Sequence, residues 1–331
     1  MVPKPNLLVI GILVIFVLIE GIPIILTLLF PSLCYGCSSI GQLHQYLNSL
    51  CGLSYINYMA YFVLLLYLAY LSTSLRNKWY TALSIVLCAL AIYVPLWPLL
   101  NIITILQICI YRNGPFIPAR VLEFPASQSI EASADKIIQE YDAYMRTSEG
   151  GCIRAANPGF SIEITEKDDA CWRAIYLKKV GVIDETMRSA FPATCTLIED
   201  VQIHNAFFSI LDPGVEIPPH VGYYKGYLRY HLGVEIPNND SPDETQKAYI
   251  VCGGQRYVWK KGEGVLFDDM FLHYVKNPAN QRRAVLYLDI VRPSNNAFEA
   301  LLNKAGIDIV ENSPLVKAFV KNQHAQIKTQ K

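Results

Sequence analysis

Between Met1 and Tyr111 the chain carries only four charged side chains, Lys4, Glu20, Arg76 and Lys78, so nearly all of its charge follows Tyr111. A segment that poor in charge reads as membrane rather than as water-soluble surface. Leu7 to Phe30 is almost wholly apolar, too long for a signal-peptide core and without a small-residue cleavage site, and is expected to be an anchor. Glu20 in mid-run calls for a partner inside a helix bundle. Gly52 to Leu71 gives a second span, and Trp79 to Tyr111 a third hydrophobic stretch broken by Pro95 and Pro98. That stretch is either one kinked helix with an interfacial extension or a tight pair of short spans.

Topology depends on that choice. Arg76 and Lys78 place their loop in the cytoplasm together with Lys4. One further crossing puts the rest of the chain outside or in a lumen, and two return it to the cytoplasm. Arg112 and Arg120, close behind the stretch, favour the cytoplasmic side. The sequence thus predicts an integral membrane protein with an α-helical transmembrane part of three or four spans over 1–111. A linker follows over 112–126, then a mainly-β soluble domain over 127–293, and a C-terminal helix and polar tail over 294–331.

Lys and Arg total 28 and Asp and Glu total 28, so no electrostatic footprint for nucleic acid exists. The nine cysteines form no metal-site spacing. Cys34 and Cys37 make a C-x-x-C without strand-helix context, and the remaining cysteines do not settle the redox compartment.

In the soluble half, Ser127 to Met145 has helical periodicity through Ile130, Ile137, Ile138, Tyr141, Tyr144 and Met145. From Trp172 the pattern changes to short apolar runs cut by Pro, Gly and Asp. They are Thr194 to Ile198, Ala206 to Leu211, Tyr227 to Val234, Ala248 to Cys252, Gly264 to Phe267 and Val285 to Val291. Many short strands with turn signals predict an antiparallel sandwich or barrel. Ala297 to Ala305 reads as helical, and Asn239-Asp-Ser fits a glycosylation acceptor that matters only in a lumen.

Two histidines fall in this half, His220 after Ile217-Pro-Pro and His273 in Phe267-Asp-Asp-Met-Phe-Leu-His-Tyr. Neutral imidazoles suit Fe(II) in oxygenases that bind the metal from one face. Arg283 opens an apolar strand and can turn its fork inward toward the far carboxylate of a keto-acid. Arg282 faces the other way and reads as a solvated surface charge. In Tyr227-Leu-Arg-Tyr-His-Leu-Gly-Val, alternation puts Arg229 and His231 on one face and Leu228, Tyr230 and Leu232 on the other.

These segments, with Pro219-His-Val-Gly, Trp259-Lys-Lys-Gly-Glu-Gly-Val-Leu-Phe-Asp-Asp and Arg283-Ala-Val-Leu-Tyr-Leu-Asp-Ile-Val-Arg-Pro, resemble the aspartyl/asparaginyl β-hydroxylase family from roughly Trp172 to Pro293. The resemblance implies a double-stranded β-helix (jelly roll), Fe(II), the co-substrate 2-oxoglutarate, and O2. It implies His220 and His273 as iron ligands, and Ser209, Arg229, His231 and Arg283 as the residues that hold 2-oxoglutarate. Where many relatives carry a third, carboxylate ligand this chain has Gly222, as the hydroxylase family does; Asp268 and Asp269 are then supporting residues. The implied reaction hydroxylates an Asp or Asn side chain of a peptide or protein. The segments are as similar to a bacterial lipid A hydroxylase branch, which implies a lipid acyl chain instead. A non-catalytic, membrane-anchored binding module is the reading of a different class.

Overall fold

The computed structural model describes residues 97–312 apart from 119, 149–150, 153–170, 223 and 238–241. The expected spans over Leu7–Phe30 and Gly52–Leu71, most of the third stretch, the Asn239 triplet and the tail from Lys317 lie outside the described residues. Among the described residues, no helix is long and apolar enough to cross a membrane.

Helix α1 (Trp97–Ile110) opens the described part, followed by α2 (Arg120–Glu123), α3 (Ser127–Ala132) and α4 (Ala134–Met145). The helical run expected over Ser127 to Met145 is two helices that meet at Ser133. Their common stripe, Ile130, Ala134, Ile137, Ile138 and Tyr141, is buried. The strands are β1 (Gly151–Cys152), β2 (Trp172–Lys179), β3 (Val182–Ile183), β4 (Ile203–Leu211), β5 (Glu216–His220) and β6 (Tyr227–Glu235). They continue with β7 (Tyr249–Cys252), β8 (Gln255–Val258), β9 (Gly264–Phe267), β10 (His273–Lys276) and β11 (Arg283–Val291). Short helices α5 (Glu185–Arg188) and α6 (Pro192–Leu197) lie between β3 and β4, and α7 (Ala297–Asn312) follows β11.

One expectation fails here. Thr194 to Ile198 is not a strand: Pro192 starts a helical turn, and the Glu140 carboxylate of α4 accepts hydrogen bonds from the Ala193 and Thr194 amides at 2.7 and 3.0 Å. A proline in the first turn and an acid on the first amides are helix-start chemistry, and they override the β-branched composition.

The strands form two antiparallel sheets. The large one runs β1-β2-β4-β11-β6-β9, with β3 on β2, and the small one runs β5-β10-β7-β8. From β4 onward the chain alternates between sheets at every step except β7 to β8. That pair is joined by Gly253 and Gly254, both at positive φ, in a two-residue hairpin. Alternation of this kind winds the chain as a double-stranded helix, so the domain is a jelly roll. Pro218 and Pro219 fit within β5 because β5 is an edge strand.

Two apolar layers fix the sheets. Leu211, Ile217, Ile250, Val265, Val275 and Val285 fill the space between them. On the large sheet's outer face, Phe208, Leu228, Tyr230, Leu232 and Leu286 pack under α4. A third cluster joins α1 to α7 through Leu100, Ile103, Leu302, Ile309 and Val310, together with Tyr224 and Tyr227. The end of the third apolar stretch therefore packs on the jelly roll rather than standing apart from it.

Candidate active site

Antiparallel pairing brings the two histidines together. His220 ends β5, His273 opens β10, and the two are register partners with ring centroids 4.1 Å apart. Each Nδ1 lies against a carbonyl two residues earlier, His220 on Pro218 at 2.8 Å and His273 on Phe271 at 2.9 Å. A carbonyl only accepts, so each Nδ1 carries the proton and each Nε2 keeps its lone pair. Burial is the main cause that drives the imidazolium forms down, to about 3 for His220 and about 4 for His273. Both are neutral near pH 7, the state a metal ligand needs.

Asp269 faces this pair. Its Oδ2 accepts from Arg229 Nε at 2.8 Å, while its buried Oδ1 has no hydrogen-bond partner. A Cβ on Gly222 would lie 2.4 Å from the Asp269 carboxylate atoms, so this carboxylate occupies the space a third ligand two residues after His220 would use. Among the described residues, no three His, Cys, Asp or Glu side chains converge at metal-binding distance. The described donor set is two imidazoles, with an unsatisfied carboxylate oxygen beside them.

Asp268 is committed elsewhere. Fully buried, it accepts from Lys225 Nζ, from Arg292 at 2.6 Å and from Asn113 at 2.9 Å. Burial alone would raise its pKa, but the two cations hold it at about 2. It ties the segment after α1 to the loop after β5 and the end of β11.

The second half of the pocket is a set of buried polar groups short of hydrogen-bond partners. Arg283 is 1% exposed and has no ion pair among the described residues. Its Nη1 donates to the Ser209 carbonyl at 3.1 Å, its Nε donates to nothing, and its fork lies 4.3 Å over the Trp259 ring. Burial lowers its pKa to about 9. Trp259 Nε1 and both ring nitrogens of His231 are likewise buried without partners. Ser209 Oγ receives Trp172 Nε1 at 2.9 Å. An unpaired buried cation and orphaned donors leave a strong demand for an anion. The chemistry of these residues would suit Fe(II) at the two imidazoles and an acid such as 2-oxoglutarate at Arg283.

All six expected site residues, Ser209, His220, Arg229, His231, His273 and Arg283, lie on strands that bound one interior. Arg229 is held differently from the others: it grips Asp269 and, through Nη1, Asp289 at 2.5 Å. Arg282 is not simply solvated, since its Nε pairs with Asp212 Oδ1 at 3.1 Å. Trp172 and Trp259 were not among the expected site residues, although Trp259 opens one of the segments that carry the family resemblance. Alternation along β2 from Trp172 would have pointed Trp172 inward, whereas nothing in the spacing marks Trp259.

Residues 131–293 match the family described as aspartyl/asparaginyl beta-hydroxylase. An ornithine lipid ester-linked acyl 2-hydroxylase of Rhizobium tropici is 30% identical over 48% of this chain and 54% of its own length. The human aspartyl/asparaginyl beta-hydroxylase is 30% identical over 39% of this chain and 17% of its own. The human aspartate beta-hydroxylase domain-containing protein 2 is 30% identical over 39% of this chain and 35% of its own. The chain therefore spans about half the length of the first relative and much less of the other two. A prolyl hydroxylase structure from Trichoplax adhaerens overlaps 51% of this chain and 81% of its own at 12% identity, with a TM-score of 0.34. The strand order, rather than that overlap, carries the fold, and the jelly-roll segment from 131 to 293 belongs to the aspartyl/asparaginyl beta-hydroxylase family of hydroxylases.

Proposed function

We propose that the chain is a membrane-anchored hydroxylase that uses Fe(II), 2-oxoglutarate and O2. The observations that carry the reading are the buried Arg283, which has no ion pair among the described residues, and the pair of neutral histidines with ring centroids 4.1 Å apart, all on strands that bound one interior. His220 and His273 are the iron ligands; Ser209, His231 and Arg283 hold the keto-acid, and Arg229 supports it while orienting Asp269. When bound, the iron and keto-acid supply oxidising power toward an unactivated C–H bond. The protein's part is positioning, exclusion of water and charge balance. Arg283 neutralises a carboxylate, the carbonyls of Pro218 and Phe271 fix the imidazole tautomers, and Asp269 Oδ1 is placed to accept a hydrogen bond from water beside the histidines.

An acyl chain of a lipid is the substrate class we favour. Aromatic rings line the sheet face next to the pocket, and a lipid-acting relative is 30% identical over 48% of this chain. An Asp or Asn side chain of a protein is the second reading, supported by the family match. Anchoring through the apolar segments before Trp97 suits the lipid reading. Cys171 is disulfide-bonded, which supports an oxidising compartment for the domain, against the cytoplasmic preference drawn from Arg112 and Arg120.

The test uses the full chain in amphipol with Fe(II), 2-oxoglutarate and O2, and follows succinate with acyl lipids and with Asp-containing peptides. Succinate that rises with one class and vanishes in His273→Ala is the expected result. A folded protein that binds neither iron nor 2-oxoglutarate would move the reading to a non-catalytic module.

A further inference from the structure

On the inner face of the large sheet, a row of rings leads away from the pocket. Tyr287 lies 5.0 Å from His231, Phe207 stacks on Tyr287 at 4.3 Å, and Tyr176 meets Phe207 at 5.0 Å. These rings form a cluster of their own, apart from the core between the sheets, and Tyr176 and Tyr287 keep part of their surface in solvent. Lys179 closes the row, its Nζ 4.6 Å from the centre of the Tyr176 ring. A shift in the β2–β4 register between Tyr176 and Lys178 returns Lys179 to the face that carries Tyr176.

Lys179 is 9% exposed, and its buried Nζ has no hydrogen-bond partner. Asp184, the acid whose charge reaches it, is engaged with Thr186 at the start of α5. An ammonium so placed has lost water without gaining an acceptor. The next residue is strained: Val180 is β-branched with φ +49°. Its amide is held by Asn205 Oδ1 at 2.8 Å, and Asn205 in turn donates to Asp289, which Arg229 also grips. Strain over-determined by its surroundings gathers at ligand sites, and this strain fixes where Lys179 points relative to the pocket.

We propose that this row is the substrate cleft, and that Lys179 binds the anionic group of an amphiphile whose alkyl chain lies along Tyr176, Phe207 and Tyr287. The inference rests on the hydroxylase reading of the pocket and names the substrate for it: a long alkyl chain that ends in a carboxylate or a phosphate. Rings receive a chain through contact area; the Arg229 guanidinium, 5.8 Å from the centre of the Tyr287 ring, is already paired with Asp269 and Asp289, whereas Lys179 Nζ has no hydrogen-bond partner to compete with the anionic end of an amphiphile.

The test uses the full chain in amphipol, without oxygen, titrated with octyl phosphate, octanoate, octanol and inorganic phosphate. Fluorescence of Trp172, isolated by comparison with Trp172→Phe, reports binding. Octyl phosphate and octanoate are expected to bind at least tenfold more tightly than octanol or inorganic phosphate. Lys179→Gln should erase that preference, Lys179→Arg should keep it, and Phe207→Asp should weaken every octyl compound. Thermal melts check that each variant is folded. Equal binding of octanol and octyl phosphate, or an unchanged preference in Lys179→Gln, overturns the proposal. Inorganic phosphate as tight as octyl phosphate leaves an anion site without a chain, and an Asp-containing peptide that displaces octyl phosphate replaces the lipid with a peptide; either overturns it. Binding of 2-oxoglutarate to the same preparation, lost in Arg283→Ala, tests the parent reading separately.

Discussion

The Asp269 carboxylate stands where a side chain on Gly222 would stand, with a Cβ there only 2.4 Å from its Oδ1 and Oδ2. Glycine at 222 is therefore a packing requirement of this site as well as the loss of a ligand. Asp269 cannot step aside without leaving Arg229 Nε. Gly222→Ala is expected to destabilise the domain by about 1–3 kcal/mol through overpacking. In an Asp269→Ala background the same change should be nearly neutral. Urea denaturation of the four proteins of this cycle gives the coupling directly, and a penalty of the same size in both backgrounds would show that the contact is not the cause.

Arg283 predicts an opposition between stability and function. Without an anion it is a buried cation with an orphaned Nε, and a buried charge with no counter-charge destabilises the fold that holds it. Arg283→Met should therefore melt no lower than the wild type when both lack 2-oxoglutarate. With 2-oxoglutarate the order should reverse, because only the wild type gains stability from the ligand. Loss of the fork should weaken 2-oxoglutarate by roughly a hundredfold or more, on the order of 3–5 kcal/mol for a broken buried pair, and leave iron binding at the histidines nearly intact. A variant that keeps the wild-type thermal shift on 2-oxoglutarate would remove Arg283 from the pocket.

Strand alternation was legible in the sequence, and contacts between distant elements were not. Period-two alternation put Arg229 and His231 opposite Leu228, Tyr230 and Leu232, and the structure keeps that division, with the leucines and Tyr230 under α4. The limits of β9 and β11 were legible because Gly264 opens one apolar run and Arg283 opens the other. Thr194 to Ile198 was misread because its start is set by Glu140, far away in sequence. Lys179 was invisible for a similar reason: a register shift in β2 turns it inward, and no local pattern announces a bulge. Both misses come from tertiary partners overriding local propensity.

Asp268 should behave as a structural clamp. Lys225, Arg292 and Asn113 all donate to it. Asp268→Asn leaves two buried cations without a counter-charge, so it is expected to cost about 3–5 kcal/mol. Asp268's folded pKa of about 2 lies below the ordinary 3.8. Its contribution is thus full above pH 3.8 and is lost as pH falls through about 2. The stability gap between wild type and Asp268→Asn should stay level from pH 7 to pH 4 and close toward pH 2. A gap that already shrinks between pH 6 and pH 4 would mean that another group, and not Asp268, carries the linkage.

Lys179 gives a slope of the same sign in a higher pH window, but as a penalty that is relieved rather than a contribution that is gained. Burial is the main cause that lowers its pKa from 10.5 to about 8. A cation whose folded pKa is depressed destabilises the fold below that pKa, and the penalty is relieved as pH rises from about 8 toward 10.5, where the unfolded chain holds more protons. Lys179→Met is therefore expected to be more stable than the wild type at pH 7, with the difference narrowing steadily by pH 10. Octyl phosphate at pH 7 should narrow the same difference without any change of pH, because it supplies the missing counter-charge to the wild type alone. Melts of both proteins at pH 7 and pH 10, with and without octyl phosphate, separate the two effects. If pH narrows the gap and octyl phosphate does not, Lys179 is a strained lysine with no ligand at that end of the sheet.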